Sequence, residues 1–318
     1  MNQKIIRIGA IFTLPVLLFI AFSGFTKGFG AHSIFIVLSQ AMIPTIMGFA
    51  IAITMRIGLF DFSPGIRVVF AAVIGGVMEH WFGIAGLLAG CIIGGLIGGL
   101  VLALLYRTLR IPSMVVALGM ILIFEVIAAK IAGSTGYIEI SKQSTEWGGQ
   151  PFNYIVLAIA AVLFYMVIYQ TKIGCHIQAV GNDEKMAKNM GMNTDGVKFK
   201  AYILAGLFCG IAAILQIRYS GSITSQIGMV SMSMIFKPMI GVLIGLQLLR
   251  FIDNLPLLIL IGEVSIAIIF NGFIAMGLTN TVQNIVLGVF LIIIMAISEN
   301  GDALKAIRSK RTKKAGIA

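Results

Sequence analysis

The stretch IVLAIAAVLFYMVIY, residues 155–169, carries no charge and no apolar/polar alternation, and runs of its kind recur along almost the whole 318-residue chain. A helix needs about 20 apolar residues to cross the ~30 Å hydrocarbon core of a bilayer, and each such run meets that length or approaches it. The strands of a membrane barrel would instead read as short alternating segments. Only 11% of the residues are charged, against roughly 25% in soluble domains. The chain is therefore expected to be an all-α integral membrane protein forming a single domain over residues 1–318.

Apolar runs read against Gly, Pro and charge punctuation predict about ten transmembrane helices, near 8–25, 33–55, 57–79, 83–106, 111–132, 153–170, 201–219, 231–249, 254–271 and 282–298. Between the second and third, residues 56–66 collect Gly and Pro and read as a broken helix. With the N-terminus inside, 17 of the 23 basic residues fall on the cytoplasmic side, including Arg56, Arg107, Arg110, Lys172, Lys185, Lys188 and the six between Lys305 and Lys314. Lys27 and Lys142 fall outside, and Arg67, Lys130, Arg218 and Lys237 lie within or at the edges of spans. That asymmetry is the positive-inside rule, with both termini cytoplasmic, and it accounts for a net charge of +11 without a nucleic-acid partner. The basic tail reads as an anchor near anionic headgroups. Five spans on either side of residue 150 allow two inverted halves, an arrangement frequent in transporters, although no internal repeat is evident.

Other features point to packing. The N-terminal MNQKIIRIGAIFTLPVLLFIAFSGF has the basic-then-apolar look of a signal peptide but reads as an uncleaved first span, because the apolar run is long and lacks an A-x-A-like cleavage site. The run GCIIGGLIGGL, residues 90–100, has the small-residue spacing of close helix contacts. Three cysteines without framework spacing argue against disulfides, and His32, His80 and His176 are scattered, so no metal site is assigned. Trp147, Tyr137 and Tyr154, in or beside the loop of residues 133–153, read as interfacial aromatics.

One interruption stands apart. Residues 171–200 hold eight charged residues and fall on the cytoplasmic side. Within them DEKMAKNMGM reads as a short helix: Asp183 and Glu184 suit a helix N-terminus, Met186 and Met190 share a face, and Gly191 can close the C-terminus. Such a helix needs a groove to lie in; the alternative is a solvated loop.

The segment TKIGCHIQAVGNDEKMAKNMGMN, residues 171–193, resembles the cytoplasmic coupling segment of permease subunits of ABC importers of the ribose/xylose type, in the branched-chain amino-acid permease superfamily. Thr171, Gly174, Ala179, Val180, Gly181, Asp183, Glu184, Ala187, Lys188, Gly191 and Met192 match its pattern, and Met186 replaces the first of a usual alanine pair. AYILAGLFCGIAAIL (residues 201–215), RIPSMVVALGM (110–120) and the last two spans, with Asn271, Gly272, Gln283 and Gly288, are similar to the family as well. RIGLFDFSPGIRVVF, residues 56–70, looks like its "TGGIDLSVGS" stretch through Gly58, Asp61, Ser63 and Gly65, with Leu59 and Pro64 replacing a glycine and a valine. The glycine-rich segment after the eighth span is degraded: KPMIGVLIGLQLLRFIDN, residues 237–254, retains Gly241 and Gly245, and Lys237 takes a small or apolar position.

The resemblance implies a permease subunit in a bacterial cytoplasmic (inner) membrane, translocating a sugar or similar small polar solute delivered by an external binding protein. Gly181, Asn182, Asp183, Glu184, Met186, Ala187, Lys188, Met190 and Gly191 would form the segment gripped by an ATPase subunit, small Ala187 and Gly191 allowing close approach while Met186 and Met190 offer a soft apolar face. No GxxxxGK[ST] motif occurs, so ATP and Mg would be held by that partner and this chain would have no cofactor of its own. A second copy or a homologous permease would complete the pathway.

Candidates for the translocation route or its scaffold are Gly58, Asp61, Ser63, Gly65, Arg67, Glu125, Lys237, Glu263 and Asn271, of which Arg67, Glu125, Lys237 and Glu263, with Lys130, are ionisable residues inside spans. Asp61 either caps a helix and pairs with Arg56 or Arg67, or lines the route; Lys237 and Glu263 would make a neutralising pair. Two other functions remain open. Nucleoside permeases of the same superfamily share Gly58, Leu59 and Phe60 but carry an acid-Gly-Gln that this chain lacks. A secondary transporter would use Asp61, Glu125 or Glu263 to carry protons.

Overall fold

The computed structural model describes residues 3–26, 29–133 and 136–299, and most of them are helical. Lys27 and the basic tail of residues 305–314 lie outside the described residues. Among those described, seven helices are long and apolar enough to cross a membrane, and two further apolar helices, Ile11–Gly24 and Thr281–Ala296, are shorter. Large apolar side chains such as Leu17, Ile20, Ile155, Ile159, Val162 and Ile292 stand exposed along helix flanks. A surface of that kind suits lipid rather than water.

The structure divides into two compact units, residues 38–239 and a second made of residues 1–37 and 240–318. Contacts also cross residue 150, on either side of which five spans are expected. Helices α3 (Pro64–Leu109) and α9 (Thr194–Ser220), one from each side of that position, share the most extensive helix–helix contact in the structure. Glycines make it possible: a Cβ at Gly95 would collide with the Gly206 carbonyl oxygen, and one at Gly206 with the Gly95 carbonyl.

At 46 residues α3 is roughly 69 Å of helix, more than twice the bilayer core. It is kinked at Gly83, whose φ of 59° and ψ of −144° leave the helical region. The two arms fold back on one another through the glycine run, Gly90 against Gly75 and Gly94 against Ala71. These arms correspond to the expected spans at 57–79 and 83–106, except that the first begins at Pro64 rather than residue 57.

In the larger unit, α2 (Ala31–Arg56, its residues from Leu38 onward), α6 (Gly149–Tyr165, continued by a wider turn over Met166–Gln170) and α9 meet through Phe49, Phe164 and Phe208, with Phe49 stacked on Phe164 at 4.6 Å. Helix α4 (Ser113–Ile131) packs on α3, where Phe70 and Phe124 meet edge to face at 4.5 Å. The loop of residues 133–153 holds β1 (Tyr137–Glu139) and α5 (Lys142–Glu146), and β1 pairs antiparallel with β2 (Ser222–Thr224), Ile138 opposite Ile223. Arg218 ties this loop to the end of α9, donating to the carbonyls of Ser144, Thr145 and Trp147 and to Asn153. Trp147, Tyr137 and Tyr154 are exposed there.

In the smaller unit, α1 (Gln3–Phe25) packs on α11 (Leu255–Ala275), with Ile11 buried beside Leu258 and Ile261 and Phe22 edge-on to Phe273. Gly241 and Gly245 of α10 (Phe236–Leu248) lie against Gly262 and Ile259 of α11. The two glycines retained in the degraded segment are thus the ones its helix crossing requires. Helix α12 (Asn280–Glu299) follows, with Gln283 buried and donating to the Leu278 carbonyl.

Candidate functional site

Helix α2 ends for a local reason. Gly58, at φ 74°, sits in the left-handed region and donates its N–H to the Met55 carbonyl while Leu59 donates to Thr54. That pair of bonds is the Schellman stop, which glycine forms without steric cost. The chain then runs without helix to Ser63, and Pro64 opens α3 at a position where a missing N–H costs nothing.

Asp61 holds this break together. Its Oδ1 accepts from the Ser63 N–H at 2.8 Å and the Ser63 hydroxyl at 2.6 Å, and its Oδ2 meets Arg67 Nη2 at 2.5 Å. Both charged side chains are fully buried. The aliphatic part of Arg67 rests against Gly98 on the second arm of α3. Of the two partners considered for Asp61, the structure selects Arg67, one helical turn into α3, and the pair serves as the turn's scaffold.

A second irregular segment meets the first. Residues 225–229 lead into the 3-10 helix Val230–Ile235, where the sequence predicted the start of a regular span. Gly65 packs so tightly on it that a Cβ would collide with the Ser231 carbonyl. The buried Glu125 of α4 gathers its free donors: Oε2 accepts from the N–H groups of Gly228 and Met229, and Oε1 from the N–H and hydroxyl of Ser231. Two breaks in helical hydrogen bonding thus lie side by side, each satisfied by one buried carboxylate, as the interior of a membrane protein requires. Sequence reasoning singled out Glu125 as an ionisable residue in a span but had no signal linking it to residues a hundred positions away.

The charged interruption forms two short helices and the first turns of α9. Thr171 accepts from the Gly174 N–H to cap α7 (Lys172–Asn182), and Asp183 accepts from the Met186 N–H at 2.9 Å to cap α8 (Glu184–Asn189). Gly191, at φ 83°, closes α8 with a second Schellman stop, its N–H on Lys188 and that of Met192 on Ala187. The expected short helix is therefore present, with Gly181 and Asn182 at the end of the helix before it. Lys198 Nζ pairs with Glu184 Oε1 at 2.5 Å and fastens α8 to α9.

Met186 and Met190 are 59% and 65% exposed on one side of α8. Ala187 is 1% exposed, which corrects its expected part as an outward contact: it packs inward and seats α8 on the protein. Asn182, Asp183, Lys188 and Gly191 are exposed. Gly181 sits hard against the end of α2, where a Cβ would overlap the Arg56 carbonyl oxygen. The docking candidate and the broken helix are in this way joined backbone to backbone.

In the smaller unit, Glu263 is buried with its carboxyl group lying over Gly241. Its Oε1 accepts no hydrogen bond among the described residues. Asn271 donates to the Ala267 carbonyl. Lys237 is exposed in the first turn of α10 and belongs to the larger unit, whereas Glu263 belongs to the smaller. Among the described residues no group of three or more His, Cys, Asp or Glu is placed to hold a metal ion.

Comparison with known proteins gives a consistent set. Residues 33–295 match the family described as branched-chain amino acid transport system / permease component. The chain is 26% identical over 217 residues to the fructose import permease protein FrcC of Rhizobium meliloti, covering 64% of this chain and 60% of that protein. It is 25% identical over 185 residues to the autoinducer 2 import system permease protein LsrD of Enterobacter sp. (strain 638), covering 54% and 56%. The LsrD protein of Klebsiella pneumoniae is 24% identical over 187 residues, covering 54% and 55%. The chain thus spans 55–60% of the length of these relatives. No solved structure matches it.

Proposed function

Because the chain belongs to the branched-chain amino acid transport system / permease component family over residues 33–295, we propose that it is the membrane-spanning permease subunit of an ATP-driven importer for a sugar or similar small polar solute. The family match carries this reading, and the printed names of the relatives, a fructose import permease and autoinducer 2 import permeases, support an imported solute of that class. In this reading the chain crosses a bacterial inner membrane ten times with both termini in the cytoplasm; the two arms of α3, counted separately, and the two shorter apolar helices support that number. The one-sided distribution of basic residues supports that sidedness.

In this reading ATP and Mg are bound by separate ATPase subunits, an external protein delivers the solute, and a second permease, identical or homologous, completes the pathway. The ATPase grips α8 through Met186 and Met190. Movement of α7 and α8 is passed to the end of α2 through Gly181 and Arg56, and so to the break that Asp61 and Arg67 hold. An interface that changes by rigid displacement suits this construction, because the break is over-determined by buried bonds while the docking helix is exposed.

Proteoliposomes holding the chain, its ATPase partner and the solute-binding protein encoded beside it test the proposal. ATP supplied on the ATPase side should drive uptake of the solute. Uptake driven by a proton gradient and indifferent to ATP and to the ATPase would overturn it.

A further inference from the structure

Beside the last turn of α3 a surface cleft of about 380 Å³ opens between that helix, α8 and the first turns of α9. Three cations line it, Arg107, Arg110 and Lys188, with Tyr106 and Phe199 as aromatic walls and Asp195 as the single acid. Among the described residues none of the three cations lies within ion-pair distance of a carboxylate; Lys198, next to the cleft, is neutralised by Glu184. Arg107 is braced over the Phe199 ring at 5.9 Å. A concave site with a two-charge surplus over its single acid, and none of its cations ion-paired among the described residues, is suited to receive an anion.

Arg110 adds an independent observation. It ends α3 in the left-handed conformation, at φ 52° and ψ 32°, with its N–H on the Tyr106 carbonyl. Glycine takes this conformation freely and an arginine does not. The strain is spent at a position whose side chain reaches the cleft.

The surroundings identify the source of the anion. Leu104, Leu109, Ile111 and Met114, the apolar residues flanking the two arginines in sequence, are exposed. A free phosphate needs only the cations, whereas a phospholipid needs cations beside an apolar surface for its chains. We propose that this cleft binds the phosphate of an anionic membrane phospholipid, with its acyl chains along the exposed flanks of α3 and α4. Arginine forks match phosphate oxygens in pairs, and basic pockets between helices at the cytoplasmic side are where such headgroups bind. Because Lys188 belongs to α8, the bound headgroup ties the docking helix to the end of α3. The cytoplasmic location rests on the sidedness proposed above; the chemistry of the cleft does not.

The purified full chain in neutral detergent, titrated with phosphatidylglycerol or with phosphatidylcholine of the same chains and read by native mass spectrometry, provides the test. The wild type should retain phosphatidylglycerol in preference to phosphatidylcholine. Arg107→Gln/Arg110→Gln, which leaves Lys188 and the docking helix unchanged, should bind phosphatidylglycerol about tenfold more weakly or worse. Lys172→Gln/Lys200→Gln, with the same charge loss outside the cleft, should behave as wild type. Equal binding of the two lipids, or an unchanged adduct in the double arginine variant, overturns the proposal. Displacement of the lipid by millimolar inorganic phosphate overturns it as well, by assigning the site to a free anion. If the double variant fails to fold, Arg110→Gln alone should show a smaller loss, and an unchanged adduct there is equally fatal. The readout involves neither ATPase nor solute, so its failure leaves the transport reading untouched, and the reverse holds too.

Discussion

The Cα of Gly181 lies against the carbonyl oxygen of Arg56, so closely that a methyl group would overlap it. Gly181 ends α7 and Arg56 ends α2, which places the charged segment of residues 171–200 in direct backbone contact with the helix that leads into the broken stretch.

Gly181→Ala should therefore separate docking from transport. Forcing a methyl into a filled site costs about 1–3 kcal/mol, and here it pushes α7 away from α2. We expect the ATPase partner to co-purify as with the wild type while ATP-driven uptake falls severalfold. Gly191→Ala is the contrast: its φ of 83° makes it strained, by about 1–2 kcal/mol, but no atom within 4 Å obstructs the methyl. If Gly181→Ala transports like the wild type, the contact is not a mechanical link.

The exposed methionines should define the docking face. Met186→Asp/Met190→Asp places two charges where an apolar partner surface is expected and should reduce ATPase co-purification about tenfold or more. Thermal stability in detergent should be unchanged, because both side chains are exposed. Ala187→Leu should do the opposite to the isolated chain and lower its melting temperature, since that position is buried. Normal co-purification of the double methionine variant would remove α8 from the docking surface.

The Asp61–Arg67 pair should behave as a buried couple. Removing one partner leaves the other charge uncompensated, so Asp61→Asn or Arg67→Met alone should cost about 3–5 kcal/mol. The double variant should lose clearly less than the sum, because no orphan charge remains. Additive losses in a thermal or denaturant cycle would show that the pair contributes nothing beyond its separate contacts.

Glu125→Gln exchanges one carboxylate oxygen for an amide group facing N–H donors. At least one of the four bonds to Gly228, Met229 and Ser231 must fail, and a buried unsatisfied donor costs about 1–3 kcal/mol. Amide exchange should rise first across residues 228–231. Unchanged protection there would mean that the carboxylate does not hold the segment.

Several of these features are legible in the order of residues alone. Asp183 with Gly191 marks the ends of α8, and Gly58 with Pro64 marks the end of α2 and the start of α3, because caps and stops are local chemistry involving residues a few positions apart. The kink at Gly83 is legible only as a gap between two apolar runs, and the burial of Ala187 is not legible, because a small residue on a short helix suits either face. Ala187 is buried, and the same short helix is fastened to α9 by Lys198 and Glu184.

The sequence by itself determined that this chain is a helical membrane protein with one charged segment among its apolar runs, since long uncharged apolar runs have no other stable environment. Only the tertiary structure decided that Asp61 answers Arg67, that Glu125 serves residues a hundred positions away, and that α3 and α9 join across the expected midpoint. Buried carboxylates and glycine contacts are satisfied by whatever the fold brings near, and that proximity is set by how the helices pack together.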